Sequence, residues 1–364
     1  MGESEITRST HSVEAVARQT AVGRHATIAP FIGGAYVVTE SASEVQAINP
    51  SNGERIFALP TGCAADVNRA VTSAREAFES NHWSDAPLSF RNGRLRRLAD
   101  LVEKESDAPD SLDAEEMGKP IRLARANAAS AAGVLRFYAE SVDKVSGEML
   151  PGDRYSFVAQ RRVPRGVVGA VVPWNFPSYN AALKLAPALA AGNCVVLKPS
   201  ELSSRSALRM AELAMEAGIP PGVLNVVPGL GTSVGRELGL HMDVDMIAFT
   251  GSTAIGKAML EYSAHSNMKV VMAECGGKCP HVVFDDGMNL DSVANAIADG
   301  IAANQGQICS VGSRVLVQRS IESEIVSKIS SRLRNVVMGN ALDPQTTFGP
   351  LASAAQCARV MSFV

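Results

Sequence analysis

The chain has 364 residues, which exceeds the size at which a single hydrophobic core usually stops growing, so we expect two domains. Hydrophobic residues make up 46% of the sequence and aromatic residues 5%, a composition that is typical of an α/β protein and argues against a coiled coil or a disordered chain. The formal net charge of −3 provides no basic surface for nucleic acid, so we expect no nucleic-acid partner.

The chain up to residue 165 divides into a polar tail, a hairpin, helices and a strand pair. Residues 1–28 are polar and aperiodic, and we predict a mobile tail there. Residues 31–38 predict a short hairpin. Apolar residues at three- and four-residue spacing predict helices at 64–80, 89–105 and 122–141. Pro109 interrupts the helical pattern, and the near-alternation at 147–164 predicts an exposed pair of strands.

From residue 166 onward, short β-rich runs alternate with helical stretches. This alternation predicts a parallel sheet with helices on both faces, which binds ligands beyond the carboxyl ends of its strands. The predicted strands lie at 167–172, 194–197, 223–227, 245–249 and 270–272. The helices between them lie at 178–191, 203–217, 232–239 and 252–264. A second set follows, with strands at 281–284 and 314–318 and helices at 290–303 and 321–336. It contains so few elements that we expect an incomplete α/β domain.

Cys309 is the candidate nucleophile of the chain. It ends the run Asn-Gln-Gly-Gln-Ile-Cys at residues 304–309, in which Gly306 suits a tight backbone with inward-facing N–H groups. A thiol attacks a carbonyl as its thiolate, and partial positive charge from such groups favours that anion. The alternative is a buried structural cysteine near a helix end, because free cysteine is among the most buried residue types.

Polar residues follow two of the predicted strands. Asn175, in Trp-Asn-Phe-Pro at 174–177, can aim its amide into a cleft, where a developing oxyanion needs donors. The alternative is a turn-forming asparagine. Lys198 and Glu201 can hydrogen-bond ribose hydroxyls, and the glutamate would repel a 2′-phosphate, which favours NAD over NADP. The alternative there is a proline turn in which Ser200 or Ser203 caps the next helix.

Two further stretches lie at the ends of strands. Gly251 and Ser252 form a glycine turn before a helix, a natural place for a pyrophosphate. The run resembles a P-loop, but Ala258 stands where magnesium binding needs Ser or Thr, so we reject ATPase chemistry. Glu274 precedes a glycine pair and can act as a general base for water when partial burial raises its pKa. The alternative for Glu274 is a surface ion pair with a lysine.

Cysteine usage and hydropathy predict a cytoplasmic protein. Six scattered cysteines in a long chain fit reduced thiols better than a disulfide framework. The first 25 residues lack the apolar core of a secretory signal, and no run reaches the length of a membrane span, so we expect no membrane partner. Cys275, Cys279 and His281 match no common zinc spacing, so we expect no metal.

Taken in order, these motifs resemble the NAD(P)-dependent aldehyde dehydrogenase superfamily from about residue 31 onward. Within it, residues 137–144 and 266–269 look most like the branch that oxidises γ-glutamyl-γ-aminobutyraldehyde and related ω-aminoaldehydes. The resemblance implies a Rossmann-like NAD-binding domain at 29–146 and 166–273. It also implies a protruding oligomerisation hairpin at 147–165 and a catalytic domain at 274–364.

The resemblance also implies residue roles. Cys309 would be the nucleophile and Glu274 the general base, while Asn175 and the Cys309 backbone N–H would form the oxyanion hole. Lys184 would tune the charge of the site. The cofactor would be NAD, and the substrate a small-molecule aldehyde. The residues at the cofactor would be Trp174 beside the cleft, Lys198 and Glu201 at the adenosine ribose, and Gly251 and Ser252 at the pyrophosphate.

The sequence departs from the family pattern at several positions. Ala303 stands where an aromatic residue is common, which predicts a wider substrate pocket, and Cys279 and Val311 replace a small polar residue and an alanine. The sequence stops before the family's Glu-x-Phe-Gly-Pro segment, so we expect a truncated catalytic domain. The resemblance implies a homo-oligomer for the family but not for this shortened chain. Two alternatives follow: a non-catalytic member that binds nucleotide or partner subunits, and an esterase without redox activity.

Overall fold

The computed structural model describes residues 27–364, so nearly all of the tail predicted at 1–28 lies outside the described residues. Thr27 and Ile28, the last two residues of the predicted tail, are described, and both pair with Ala58. In chain order the strands are β1 (Phe31–Ile32), β2 (Ala35–Tyr36), β3 (Glu44–Ile48), β4 (Arg55–Pro60), β5 (Glu148–Leu150), β6 (Val158–Gln160), β7 (Val167–Val171), β8 (Cys194–Lys198), β9 (Leu224–Val226), β10 (Met246–Gly251), β11 (Val270–Cys275), β12 (Pro280–Val283) and β13 (Arg314–Val317).

The helices match most of the predicted ones to within a few residues. They are α1 (Ala64–Glu79), α2 (Leu88–Lys104), α3 (Asp107–Met117), α4 (Ile121–Ala124), α5 (Asn127–Ser141), α6 (Pro177–Ala190), α7 (Arg205–Glu216), α8 (Arg236–Leu240), α9 (Thr253–Ala264), α10 (Leu290–Ala302), α11 (Glu322–Leu333) and α12 (Ala354–Met361). A π-helical turn at Gly231–Gly235 precedes α8, so the helix predicted at 232–239 has two parts.

The main sheet has seven strands in the order β11-β10-β7-β8-β9-β1-β2. The strands from β11 to β9 are parallel, and β1 joins β9 antiparallel. Helices α6 and α7 cover one face and α1, α8 and α9 the other, with α2, α3 and α5 packed outside α6 and α7. This is the predicted Rossmann-like arrangement. Strands β8 and β9 follow on one side of β7, and β10 and β11 follow on its other side, so the order of successive strands reverses between β7 and β10. Open α/β sheets bind ligands at such a point.

A smaller α/β unit follows the main sheet. Strands β12 and β13 pair in parallel, and α10 and α11 pack on them around Val283, Ile297 and Ile325. The predicted hairpin is also present, as β5 paired with β6, and all residues of both strands are exposed. In the described part of the chain, no helix is both long and apolar enough to cross a bilayer.

Three local features differ from the sequence prediction. Pro109 does not break the chain, because it lies in the first turn of α3, where a missing N–H leaves no helical hydrogen bond unmade. The helix predicted at 122–141 is interrupted after Ala124 and restarts at Asn127. The antiparallel pair β3–β4 was not predicted from the sequence, although Phe57 and Leu59 bury their side chains completely in the core.

Helix α3 carries buried carboxylates that connect it to neighbouring helices. Asp110 is 1% exposed, and its Oδ1 accepts a hydrogen bond of 2.9 Å from the backbone N of Ala128 at the start of α5. Burial raises the pKa of Asp110 to about 6, against the partial compensation from that hydrogen bond. Since the folded pKa exceeds the unfolded one, this group favours folding at low pH, and its contribution is lost as the pH rises through about 6.

We therefore expect Asp110→Asn, which keeps the acceptor oxygen but does not titrate, to gain stability relative to the parent as the pH rises from about 4 to 6. Urea unfolding of both proteins across this range measures the effect. Asp85→Asn, at an exposed position, is the control and should change the unfolding free energy by less than about 0.5 kcal/mol throughout. A pH-independent difference between parent and Asp110→Asn would contradict the assignment.

Candidate active site

A cleft of about 1630 Å³ opens at the carboxyl ends of β7, β8 and β10. The smaller α/β unit closes one side of it with the loop that carries Cys309, and α5 and α6 line another side. Cys309 is exposed at this cleft, so the alternative of a buried structural cysteine is wrong. The cleft therefore combines the ligand-binding edge of the sheet with a reachable thiol.

The backbone before Cys309 adopts an unusual conformation. Asn304, Gln305 and Gly306 all have positive φ angles, of 49°, 56° and 73°. Two of these residues carry side chains, so the turn is strained and has to be held by its surroundings. The side-chain amide of Asn304 donates to the carbonyl oxygens of Asn175 at 3.0 Å and of Gln307 at 3.3 Å. The Oε1 of Gln307 accepts from the backbone N of Ala352 at 3.0 Å. These bonds fix the loop on both sides.

Asn175 contacts the cysteine loop directly. Its Nδ2 donates to the carbonyl oxygen of Gln307 at 2.9 Å, across 132 positions of sequence. This long-range contact differs from the local turn that was the alternative for Asn175. One hydrogen of the Asn175 amide group remains for the cleft, because an NH₂ group has two. The geometry thus brings an amide donor beside the loop of the thiol.

Glu274 lies in β11, paired in register with Thr250 of β10. It is exposed, so the partial burial that we expected for this carboxylate is wrong; β11 is the edge strand of the sheet. The glycine pair after it approaches the thiol, since the backbone N of Gly277 donates to the Cys309 carbonyl at 3.2 Å. A side chain at Gly276 would place its Cβ 4.0 Å from the Cys309 Cα. The glycine pair therefore lies beside the cysteine loop, whereas Glu274 itself is not among the residues that line the cleft.

Lys184 lies on α6 and is partly buried. Burial lowers the pKa of its ammonium group, and the charge of Glu274 opposes that shift. The two side chains are therefore close enough to interact electrostatically.

Lys198 and Glu201 lie at the carboxyl end of β8, in the cleft. Lys198 is 3% exposed, and its Nζ is 3.3 Å from Oε2 of Glu201. Burial lowers the pKa of Lys198, and Glu201 opposes the shift. The alternative in which Ser200 or Ser203 caps the next helix is wrong, because α7 begins at Arg205 and no side chain caps it.

A dinucleotide fits this end of the cleft. Helix α9 begins just after Gly251 and Ser252, and the residues of its first turn line the cleft. Ser252 Oγ accepts from the backbone N of Ile255 at 3.4 Å. A helix N-terminus attracts the negative charge of a diphosphate, and the buried Lys198 and the partly exposed Glu201 match ribose hydroxyls. Trp174 borders the same cleft. The donor set therefore agrees with a bound NAD.

Several cleft residues were not predicted from the sequence. Gln307 was visible inside the cysteine motif, but its role as the contact of Asn175 depends on tertiary structure. Asn180 offered a signal, as a polar residue near the start of α6. Gln356 and Arg359 lie on α12 at the cleft and belong to no motif that we recognised.

Comparisons with known proteins found a matching family and similar proteins. The protein-family model described as "Aldehyde dehydrogenase family" matches residues 36–364 of this chain. The chain is 42% identical over 335 residues to the NADP/NAD-dependent aldehyde dehydrogenase PuuC of Escherichia coli (strain K12), a match that covers 92% of this chain and 68% of that protein.

Two solved structures are also similar. One is a P. syringae AldA indole-3-acetaldehyde dehydrogenase mutant in complex with NAD+ and IAA, with 41% identity, a TM-score of 0.90 and coverage of 96% of this chain and 70% of that one. The other is the gamma-glutamyl-gamma-aminobutyraldehyde dehydrogenase from Burkholderia cenocepacia J2315, with 40% identity, a TM-score of 0.90 and coverage of 98% and 71%.

The strained turn before Cys309 allows a test of the loop geometry. We expect Gly306→Ala to lower the unfolding free energy by about 1–2 kcal/mol, because φ is +73° there and a Cβ disfavours that conformation. Gly93→Ala is the matched control, since it lies inside α2 and no heavy atom lies within 4 Å of an added Cβ. It should raise stability by about 0.5–1 kcal/mol. Urea unfolding of both variants checks the prediction, and equal shifts in the same direction would refute it.

Proposed function

Because the chain belongs to the aldehyde dehydrogenase family and is an NAD-dependent aldehyde dehydrogenase, we propose specific roles for its cleft residues in oxidising an aldehyde to its carboxylic acid. The observation that carries the assignment is the pair of hydrogen bonds that meet at the cysteine loop. One joins Asn175 Nδ2 to the Gln307 carbonyl at 2.9 Å, and the other joins the Gly277 N to the Cys309 carbonyl at 3.2 Å.

Cys309 is the nucleophile in this proposal. Its thiolate sulfur forms a bond to the aldehyde carbon, and the carbonyl electron pair moves to oxygen, which gives a thiohemiacetal anion. The free N–H of Asn175 and the backbone N–H of Cys309 would donate to that oxygen. One such donor contributes about 3 kcal/mol to a transition state. The cleft supplies these donors in fixed positions, so no solvent has to reorganise.

Cofactor binding belongs to the other end of the cleft. Lys198 and Glu201 would hold the adenosine ribose, Gly251 and Ser252 would meet the pyrophosphate, and Trp174 would border the ring system. When bound, NAD accepts the hydride that leaves the substrate carbon. The carboxylate of Glu201 disfavours a 2′-phosphate at the ribose, which supports a preference for NAD over NADP.

Glu274 acts in the second half of the reaction. Once the substrate carbon is oxidised, Cys309 carries a thioester. The carboxylate of Glu274 takes a proton from water, the water oxygen bonds to the thioester carbon, and the Cys309 thiolate leaves with the C–S electron pair. The charges of Lys184 and Glu274 interact, so Lys184 adds positive charge near the base. The exposure of Glu274 leaves room for water to reach it.

The proposed substrate class is an ω-aminoaldehyde. Similarity to the gamma-glutamyl-gamma-aminobutyraldehyde dehydrogenase from Burkholderia cenocepacia supports it, as does the sequence at 137–144 and 266–269. Ala303 lines a separate cavity of about 490 Å³ and not the cleft, so the wider substrate pocket expected from it has no support in the structure. We also propose assembly into homo-oligomers through the exposed β5–β6 hairpin. A cytoplasmic location is supported by the six free cysteines at residues 63, 194, 275, 279, 309 and 357.

The family match does not favour the alternative of a non-catalytic member that binds only nucleotide or partner subunits. The esterase alternative needs Cys309 and Glu274 but no cofactor site. A buried Lys198 beside Glu201 at a cleft edge speaks against it, because burying charges without a ligand to bind is costly.

We expect the protein to form NADH from NAD with γ-aminobutyraldehyde, and to use butyraldehyde, which has the same chain length without the amine, less efficiently. Absorbance of NADH measures both rates. Cys309→Ser should lose at least about 1000-fold in kcat, whereas the control Cys275→Ser should keep the parent rate. Ester hydrolysis without any NADH formation would favour the esterase instead, and equal rates in both serine variants would exclude Cys309 as the nucleophile.

A further inference from the structure

Asn180 is a buried polar residue near the start of α6. It lies in the first turn of α6, is 8% exposed, and is followed by the buried Ala181 and Ala182. Its backbone N donates to the Phe176 carbonyl at 2.8 Å, which fixes this turn. Its side chain lines the cleft. Burying a side-chain amide is costly unless it makes hydrogen bonds, so the position calls for an explanation.

The side chain of Asn180 contacts the candidate oxyanion residue. Its Nδ2 donates to Oδ1 of Asn175 at 3.3 Å. The Nδ2 of Asn175 donates in turn to the Gln307 carbonyl, at 2.9 Å. Turning the Asn175 amide by half a turn would bring its oxygen against the Gln307 oxygen and its NH₂ group against the Asn180 NH₂ group. Both contacts would be repulsive, so the two bonds together select one orientation of the amide.

The selected orientation leaves one N–H of Asn175 unused. The carboxamide nitrogen carries two hydrogens, and one of them is bound by Gln307. The backbone carbonyl of Asn175 is also held, by the Asn304 side chain at 3.0 Å. With the main chain and the amide plane both fixed, the second hydrogen has a defined direction. Catalytic donors need such fixed directions, because misplacement by about 1 Å can cost a hundredfold in rate.

We propose that Asn180 is a positioning residue that holds the carboxamide of Asn175 in the orientation needed to stabilise the thiohemiacetal oxygen. The inference rests on the oxyanion role proposed above for Asn175. Asn180 acts through Asn175 and not on the substrate, so its loss lowers kcat and leaves the KM values for NAD and for a small aldehyde nearly unchanged. Asn175 keeps its hydrogen bond to the Gln307 backbone carbonyl when Asn180 is replaced. The fall in kcat is therefore only part of the fall caused by removing Asn175.

A double-mutant cycle tests this. Asn180→Leu keeps the branching of the side-chain heavy atoms and removes the donor, and we expect it to lower kcat about tenfold, while Asn175→Ala lowers kcat by roughly a hundredfold. The double variant should be no slower than Asn175→Ala alone, because residues that act as one unit are not additive. A double variant whose fold loss in kcat equals the product of the two single losses would overturn the proposal. A change confined to the KM of the aldehyde would overturn it as well.

Two further variants keep the test decisive. Asn92→Leu removes an amide that donates to the Ala139 carbonyl at 2.7 Å, outside the cleft, and should change thermal stability without changing kcat. Where Asn180→Leu does not fold, Asn180→Asp replaces it, since a carboxylate of the same shape has no N–H to donate. A fast Asn175→Ala would refute the oxyanion role itself. A slow Asn175→Ala with a fast Asn180 variant would refute the positioning role alone.

Discussion

The structure depends on the hydrogen bonds that join the end of β7 to the turn before the cysteine. Asn175 donates to the Gln307 carbonyl at 2.9 Å, and Asn304 donates back to the Asn175 carbonyl at 3.0 Å. Asn304 and Gln305 have positive φ angles that each cost about 1–2 kcal/mol. Buried hydrogen bonds contribute about 1 kcal/mol each, so several are needed to hold such a turn. They also connect the main sheet with the smaller α/β unit, and the thiol lies at that junction.

Sheet topology explains why distant motifs meet there. Strands β7 and β10 are neighbours, and the crossover helices leave them on opposite faces. The space beyond their carboxyl ends is therefore open, with Asn175 on one side and Gly251 on the other. Glu274 belongs to β11, the next strand along the same edge. The amide, the helix N-terminus and the carboxylate thus come from adjacent strands of one sheet, while Cys309 comes from the unit that closes the cleft.

The sequence was sufficient for most of this fold, because the parallel strands are short, continuous apolar runs separated by helices of clear period. The sequence was insufficient where the local preference of a residue differs from what its tertiary surroundings allow. Pro109 is tolerated in the first turn of α3, where its N–H is not needed. The strands at Glu44–Ile48 and Arg55–Pro60 bury residues against helices that only the tertiary structure provides. Motifs next to strand ends identified Asn175, but Gln356 and Arg359 come from a helix with no such landmark.

In the proposed reaction, Cys309 forms a thioester, and Glu274 then activates the water that hydrolyses it. The most direct measurement is mass spectrometry of a Glu274→Gln variant after mixing with butyraldehyde and NAD. Since the variant keeps the amide donor and the thiol but loses the base, we expect a butyryl group on the peptide that contains Cys309. An unmodified Cys309 in a variant that still produces NADH, or the same group on Cys275, would contradict it.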